Sequence, residues 1–243
     1  MPETKPLLAR PGRGNEGIDI RTASLVWLLT WLVGNLLGSL IVTVGGGGGG
    51  DSAPLWVNVV GAVCLWVPML AGLWYLSDRL GSGNIARDLN LRFQPIDLVG
   101  IAVGVLSQLV LLRLLYWPLE QWWPNTFGRD RVEQSARDLS DAAHGGWYVL
   151  LVFVVVIGAP IVEELMYRGL LQGAFTRRLD DVVGVVLVAA WFALIHFRPV
   201  EYPGLFVFGL VLGVCALRTR RLGMSVLTHM AFNATGLILV VGK

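Results

Sequence analysis

Residues 147–176 read WYVLLVFVVVIGAPIVEELMYRGLLQGAFT, a segment that is long and apolar enough to cross a membrane. The segment nevertheless contains two adjacent glutamates, Glu163 and Glu164, and an arginine, Arg168. Insertion scales put the cost of a charged residue at the centre of a membrane helix at about 2.5–3.5 kcal/mol. Such a cost needs a compensating reason, so this segment predicts a membrane fold that carries a functional site.

The composition of the whole chain supports the membrane interpretation. Of 243 residues, 55% are hydrophobic and only 15% are charged, whereas a soluble domain carries about 25% charged residues. A soluble enzyme, a disordered protein and a collagen-like fibre are therefore excluded. The net charge of +2 argues against nucleic-acid binding. Cys64 and Cys215 lie in apolar stretches, which argues against a disulfide scaffold or a cysteine-ligated metal.

Apolar runs of about 20 residues predict an all-α polytopic bundle of seven transmembrane spans, within a range of six to eight. The predicted spans are Ala23–Val44, Leu55–Leu76, Leu98–Trp117, Trp147–Thr176, Val182–Phe197, Pro203–Leu217 and Ser225–Val241. We expect residues 1–22 to be a disordered cytoplasmic tail, 23–146 to hold the N-terminal helices and loops, and 147–241 to form a helical core. Gly45–Gly50 is typical of a flexible connector, and Ile85–Phe93 of an amphipathic piece on the membrane surface.

The Lys and Arg residues of the predicted loops indicate the orientation of the chain. With seven spans, twelve of them lie on the side of the N-terminus and five on the other side. We therefore expect an integral protein of a bacterial cytoplasmic membrane with its N-terminus inside.

Two histidines and an asparagine also lie deep in predicted spans. Phe192 and His196 are four residues apart on one span, and His229 and Asn233 are four apart on another. Residues at this spacing share a helix face, so each pair is expected to face the interior of the bundle.

Glu164 and Arg168 are also four residues apart and can form an ion pair on one face of their helix. Glu163 then points about 100° away around the helix. No cationic partner for Glu163 is evident in the sequence.

Two carboxylates, two histidines and an amide together favour hydrolytic chemistry. Glu163 and His196 can hold and deprotonate a water, while His229 and Asn233 can donate hydrogen bonds to an oxyanion. Two histidines and one glutamate also match the ligands of a catalytic zinc site, namely Glu163, His196 and His229. The residues alone leave both arrangements open.

The depths of these residues do not match if all helices end at one level. At about 1.5 Å per residue, Glu163 and His196 lie roughly 20 Å from the inner ends of their spans, whereas His229 lies only about 12 Å from Arg221. The last helix is therefore expected to start deeper, or the preceding loop to dip into the protein.

The three polar segments resemble the motifs of the CPBP family of intramembrane proteases, which includes the CAAX prenyl endopeptidases of the Rce1 type and the Abi-like proteins. The family pattern is EExxxR, FxxxH and HxxxN, and it stands here as Glu163–Arg168, Phe192–His196 and His229–Asn233. The Gly-Ala-Pro that is frequent upstream of the glutamates is present at Gly158–Pro160. The resemblance covers about residues 147–241.

This resemblance implies an intramembrane endopeptidase that acts on a membrane-associated protein or peptide. It implies that Glu163 and His196 activate water, that His229 and Asn233 stabilise the oxyanion, and that Glu164 has a supporting role. Arg168 is implied as the second supporting residue. The family has been labelled metalloprotease, with zinc as the metal in question, but a metal-free glutamate mechanism is the better-argued view for its prenyl-protease members.

Two other functions remain open at this stage. A catalytically idle protein of the same fold would use the polar residues to bind a partner, as an immunity protein does. A small transporter would use the buried carboxylates for proton coupling, although no inverted repeat is visible. The substrate and the oligomeric state do not follow from the sequence.

Overall fold

The computed structural model describes residues 17–44, 55–128, 130–132, 134, 137 and 146–241. Within these residues the chain is helical and contains no strand. Most of the predicted N-terminal tail, the run Gly45–Gly50 and His144 lie outside the described residues.

The described helices are α1 (Ile20–Val44), α2 (Leu55–Leu80), α3 (Ile85–Asp88), α4 (Pro95–Trp122), α5 (Pro124–Phe127), α6 (Val149–Arg178), α7 (Asp181–Leu194), α8 (Tyr202–Thr219) and α9 (Gly223–Val241). Among the described residues, six of these are long and apolar enough to cross a membrane, namely α1, α2, α4, α6, α8 and α9. The seventh apolar helix, α7, has only 14 residues. The predicted polytopic bundle of about seven spans is confirmed.

Helix α6 occupies the centre of the bundle. Every residue from Glu164 to Phe175 is buried, so this part of α6 is surrounded by protein on all sides. On one side the ring of Tyr167 lies 5.6 Å from that of Trp27 on α1. On another, Gln172 Nε2 donates a 2.9 Å hydrogen bond to the Gly213 carbonyl of α8.

Helix α9 is held against α4 by two glycines one turn apart. A Cβ placed on Gly100 would lie 2.6 Å from the Met224 carbonyl oxygen, and one on Gly104 would overlap the Thr228 carbonyl oxygen. Small residues at this spacing let two membrane helices approach closely. Thr228 precedes His229, so this contact fixes the helix that carries the second histidine.

One face of the segment between α2 and α4 packs into the bundle. Asp88 and Leu89 are at most 1% exposed, whereas Phe93 is 56% exposed, so the segment has a buried and an exposed face, and its position on a membrane surface stays a prediction. The Asn90 carbonyl accepts a 3.0 Å hydrogen bond from the Leu222 N–H. This bond ties the segment to the start of α9.

Helix α9 does not begin at the level of the C-terminal end of α6 but further along α6, toward the glutamates. The unequal depths in the sequence predict this arrangement. A Cβ placed on Gly169 would lie 3.5 Å from Leu222, the residue just before α9. Gly169 is nine residues before Arg178, which is about 14 Å along α6. The loop before α9 therefore reaches into the protein.

Candidate active site

The two glutamates lie where α6 changes its helical pitch. Wide π-helical turns occupy Phe153–Gly158 and Glu164–Gln172, on either side of the α-helical turn Ala159–Glu163. Such turns are uncommon and occur frequently at functional sites.

Glu164 and Arg168 form the ion pair that their spacing predicts. Arg168 Nη1 lies 3.1 Å from Glu164 Oε1, and both side chains are 0% exposed. Arg168 Nη2 also donates to the Gly209 carbonyl on α8 at 3.3 Å. A buried pair of this kind is costly to break, because removing one partner leaves an uncompensated charge. The pair therefore anchors α6 against α8.

His229 lies between the two carboxylates. Its Nδ1–H donates to Glu164 Oε1 at 3.0 Å, and its Nε2 lies 3.7 Å from Glu163 Oε2. The second distance is too long for a direct hydrogen bond. The side chain of Glu163 is 29% exposed, in contrast to the fully buried Glu164. Of the two adjacent glutamates, only Glu163 is accessible to another molecule.

His196 lies two residues beyond the end of α7, not within a helix as predicted. The chain turns at this point, with Phe197 in the left-handed backbone region, and Pro199 follows. His196 is half-buried, and its Nδ1–H donates to the Phe192 carbonyl at 2.7 Å. That bond fixes the proton on Nδ1 in the neutral imidazole and leaves Nε2 as the acceptor nitrogen.

The ring of Phe192 contacts all three sequence motifs. It lies 4.9 Å from the ring of His196 and 6.0 Å from that of His229, measured between centroids. The guanidinium carbon of Arg168 lies 4.7 Å from the centre of the same ring. Spacing in the sequence relates Phe192 only to His196, and its contacts with His229 and Arg168 depend on how α6, α7 and α9 pack.

Asn233 is held by a carbonyl that Pro160 leaves without a helical donor. In the π-helical turn, the Ala159 N–H bonds to the Val154 carbonyl five residues before it. The next donor in that series is residue 160, a proline, which has no N–H. The Val155 carbonyl instead accepts a 2.8 Å hydrogen bond from Asn233 Nδ2. In this chain Pro160 therefore leaves the acceptor that holds the Asn233 side chain.

The described residues do not assemble a metal site. No group of three His, Cys, Asp or Glu side chains in the described part of the chain is arranged to hold a metal ion. The residues named for zinc, Glu163, His196 and His229, therefore do not fit that ion as a set of three.

Comparison with known proteins bears on the same region. Residues 145–235 match the family model of the type II CAAX prenyl endopeptidases, Rce1-like, a stretch that contains all three motifs. No match was found among curated proteins or among solved structures. The match confirms the resemblance to the CPBP family. With the six apolar helices, it supports an integral membrane protein of the intramembrane protease type.

Proposed function

We propose that this chain, with its Rce1-like region at residues 145–235, is an endopeptidase that hydrolyses a peptide bond of a membrane-associated protein or peptide. The observation that carries the proposal is the unequal exposure of two glutamates on either side of His229. Glu164 is fully buried and ion-paired, whereas Glu163 is 29% exposed. A buried charged network that leaves one carboxylate accessible is suited to acting on a bound molecule.

Glu163 and His196 are proposed to activate water. Glu163 removes a proton from the water as the water oxygen bonds to the peptide carbonyl carbon. The carbonyl π electrons move to the carbonyl oxygen, which becomes an oxyanion. His196 orients the water through Nε2, which its Nδ1–H bond to Phe192 leaves as an acceptor. When the oxyanion collapses, the C–N bond breaks and the proton passes from Glu163 to the leaving nitrogen.

His229 and Asn233 are proposed to donate hydrogen bonds to the oxyanion. His229 can donate from Nε2 only when both ring nitrogens carry protons, and the Glu164 carboxylate beside Nδ1 supplies the compensating negative charge. Asn233 uses one amide hydrogen for the Val155 carbonyl and has a second to give. Arg168 and Glu164 support this arrangement without contacting substrate.

The proposed orientation places the N-terminus on the cytoplasmic side. The arginines in the last turn of α6 and those after α8 then lie at the cytoplasmic ends of these helices, as the distribution of basic residues indicates.

The test is peptide cleavage by the purified chain in detergent. The probes are two fluorogenic peptides of one sequence ending in a CAAX box, with and without an S-farnesyl group. We expect cleavage by the wild type, loss of about 10²–10⁴-fold in His196→Gln, and no change on adding a divalent-metal chelator.

The matched control is Arg198→Gln, two residues from His196, where an ion pair to Glu201 lies at the surface. This variant should cleave at the wild-type rate. Cleavage at the same rate by His196→Gln and Arg198→Gln would contradict the proposed role of His196. Cleavage that disappears with chelator would contradict the metal-free mechanism, and no cleavage of either peptide by the wild type would favour the idle binding protein.

A further inference from the structure

A cavity with polar side chains lies on the side of Arg168 away from the glutamate–histidine site. It occupies the space that the recessed loop before α9 leaves. The cavity has a volume of about 620 Å³. In the described part of the chain, six arginines line it, namely Arg92, Arg168, Arg177, Arg218, Arg220 and Arg221. The proposed hydrolysis does not use this cavity.

The positive charge of the cavity exceeds its negative charge. Arg221 is paired with Asp97 at 2.7 Å and Arg168 with Glu164 at 3.1 Å. Arg218 and Arg220 have no carboxylate partner within the described ranges, and both are exposed. Among the described residues that line the cavity, Asp181 is the only acidic one.

Arg168 is the buried member of this lining. Its side chain is fully buried, and neither its Nε–H nor Oε2 of its partner Glu164 has a hydrogen-bond partner among the described residues. A buried N–H without a partner is costly, and native proteins contain few of them. Solvated arginines at a helix end explain neither the concave shape of the cavity nor this missing acceptor.

We propose that this cavity binds a phosphate group. The guanidinium group matches the planar, multidentate geometry of phosphate oxygens, and such charge-assisted bonds are about twice as strong as neutral ones. The phosphate belongs either to the headgroup of an anionic lipid or to a soluble phosphate compound. Because Arg168 also pairs with Glu164, a bound anion would help to hold the ion pair beneath the glutamate–histidine site. The proposal rests on the cavity and is independent of peptidase activity.

The test measures the thermal unfolding midpoint, Tm, of the full chain in neutral detergent. Inorganic phosphate is titrated at constant ionic strength, with acetate as the matched anion. In a second arm, phosphatidic acid is added to the micelles, with phosphatidylcholine as the matched lipid. We expect Tm to rise with phosphate, with phosphatidic acid or with both. A rise with inorganic phosphate indicates a soluble phosphate compound, and a rise with phosphatidic acid indicates a lipid headgroup.

The double variant Arg218→Gln/Arg220→Gln removes two cavity charges that have no carboxylate partner in the described structure. In this variant, the concentration of phosphate or phosphatidic acid that gives half of the maximal rise in Tm should be about tenfold higher or more. The control Arg79→Gln/Arg178→Gln removes the same charge from arginines that do not line the cavity, and it should respond like the wild type. An equal rise with acetate, an equal response of the two double variants, or no rise in either arm would overturn the proposal.

Discussion

At the scale of single residues, neighbouring glutamates with the same chemistry have different environments. Glu164 has Arg168 and His229 as partners and no exposure, whereas Glu163 is 29% exposed and 3.7 Å from His229. The difference arises because consecutive residues on a helix point about 100° apart. Glu164 therefore holds the arrangement together, and the exposed Glu163 is the residue that we propose to react.

Pro160 offers a test of how Asn233 is positioned. In Pro160→Ala the new N–H can bond to the Val155 carbonyl and compete with Asn233 Nδ2. We expect Tm to stay the same or rise, because alanine favours a helix interior by about 3 kcal/mol over proline, while peptide cleavage falls about tenfold or more. Cleavage rates and Tm of the purified protein check this.

The matched control is Pro68→Ala, which removes a proline from inside α2. This variant should gain stability and keep its cleavage rate. Unchanged cleavage in Pro160→Ala would show that Asn233 does not need the free carbonyl.

Spacing along the sequence predicts only the local part of this chemistry. The ion pair between Glu164 and Arg168 follows from their separation by four residues and is confirmed. The bond between His229 and Glu164 joins residues 65 positions apart, and no local rule predicts such a contact. Its presence depends on how α6 and α9 pack.

At the scale of elements, the lengths of the helices set the positions of the functional groups. Helix α7 has 14 residues, about 21 Å, and His196 follows its end. Glu163 lies 15 residues, about 22 Å, from the end of the preceding helix α6. The short helix thus brings His196 to the depth of Glu163.

The glycine contact between α4 and α9 can be tested by adding one methyl group. In Gly104→Ala the new Cβ would overlap the Thr228 carbonyl oxygen and lie 2.9 Å from Ala231. Overpacking of this kind costs about 1–3 kcal/mol, so we expect a lower Tm and slower cleavage, because α9 carries His229.

Gly61→Ala on α2 is the control, since a Cβ there has no atom within 4 Å. Its cleavage rate should equal that of the wild type, and its Tm should stay the same or rise, because alanine favours a helix interior by about 0.5–1 kcal/mol over glycine. A Tm for Gly104→Ala that equals that of Gly61→Ala would contradict the close approach of α4 and α9.

The apolar runs predict the existence of the helices better than their ends. The predicted span Val182–Phe197 extends three residues past Leu194, the last residue of α7. Pro199 disfavours the helical conformation only at Arg198, which a span ending at Phe197 already respects, so the sequence carried no signal for an end at Leu194. The burial of the segment around Asp88 had no signal either, because its polar residues are satisfied by distant partners such as Ser77.

At the scale of the whole molecule, the recessed start of α9 explains both polar regions. It raises His229 to the level of the glutamates and leaves the arginine-lined cavity below. Irregular backbone within a membrane protein is tolerated where it lines such a cavity. The depth mismatch predicted this recess but left open whether the last helix or its loop accounts for it. In the structure the loop before α9 reaches into the protein, and α9 starts deeper as a result.

The most direct test of the account is the rate at which purified Glu163→Gln cleaves the CAAX-box peptide that the wild type cleaves best. Glutamine keeps the size of the side chain and removes the base. Because Glu163 is the exposed member of the pair, we predict a loss of about 10²–10⁴-fold with Tm unchanged. Cleavage at the wild-type rate by the folded variant would contradict the assignment of Glu163 as the residue that activates water.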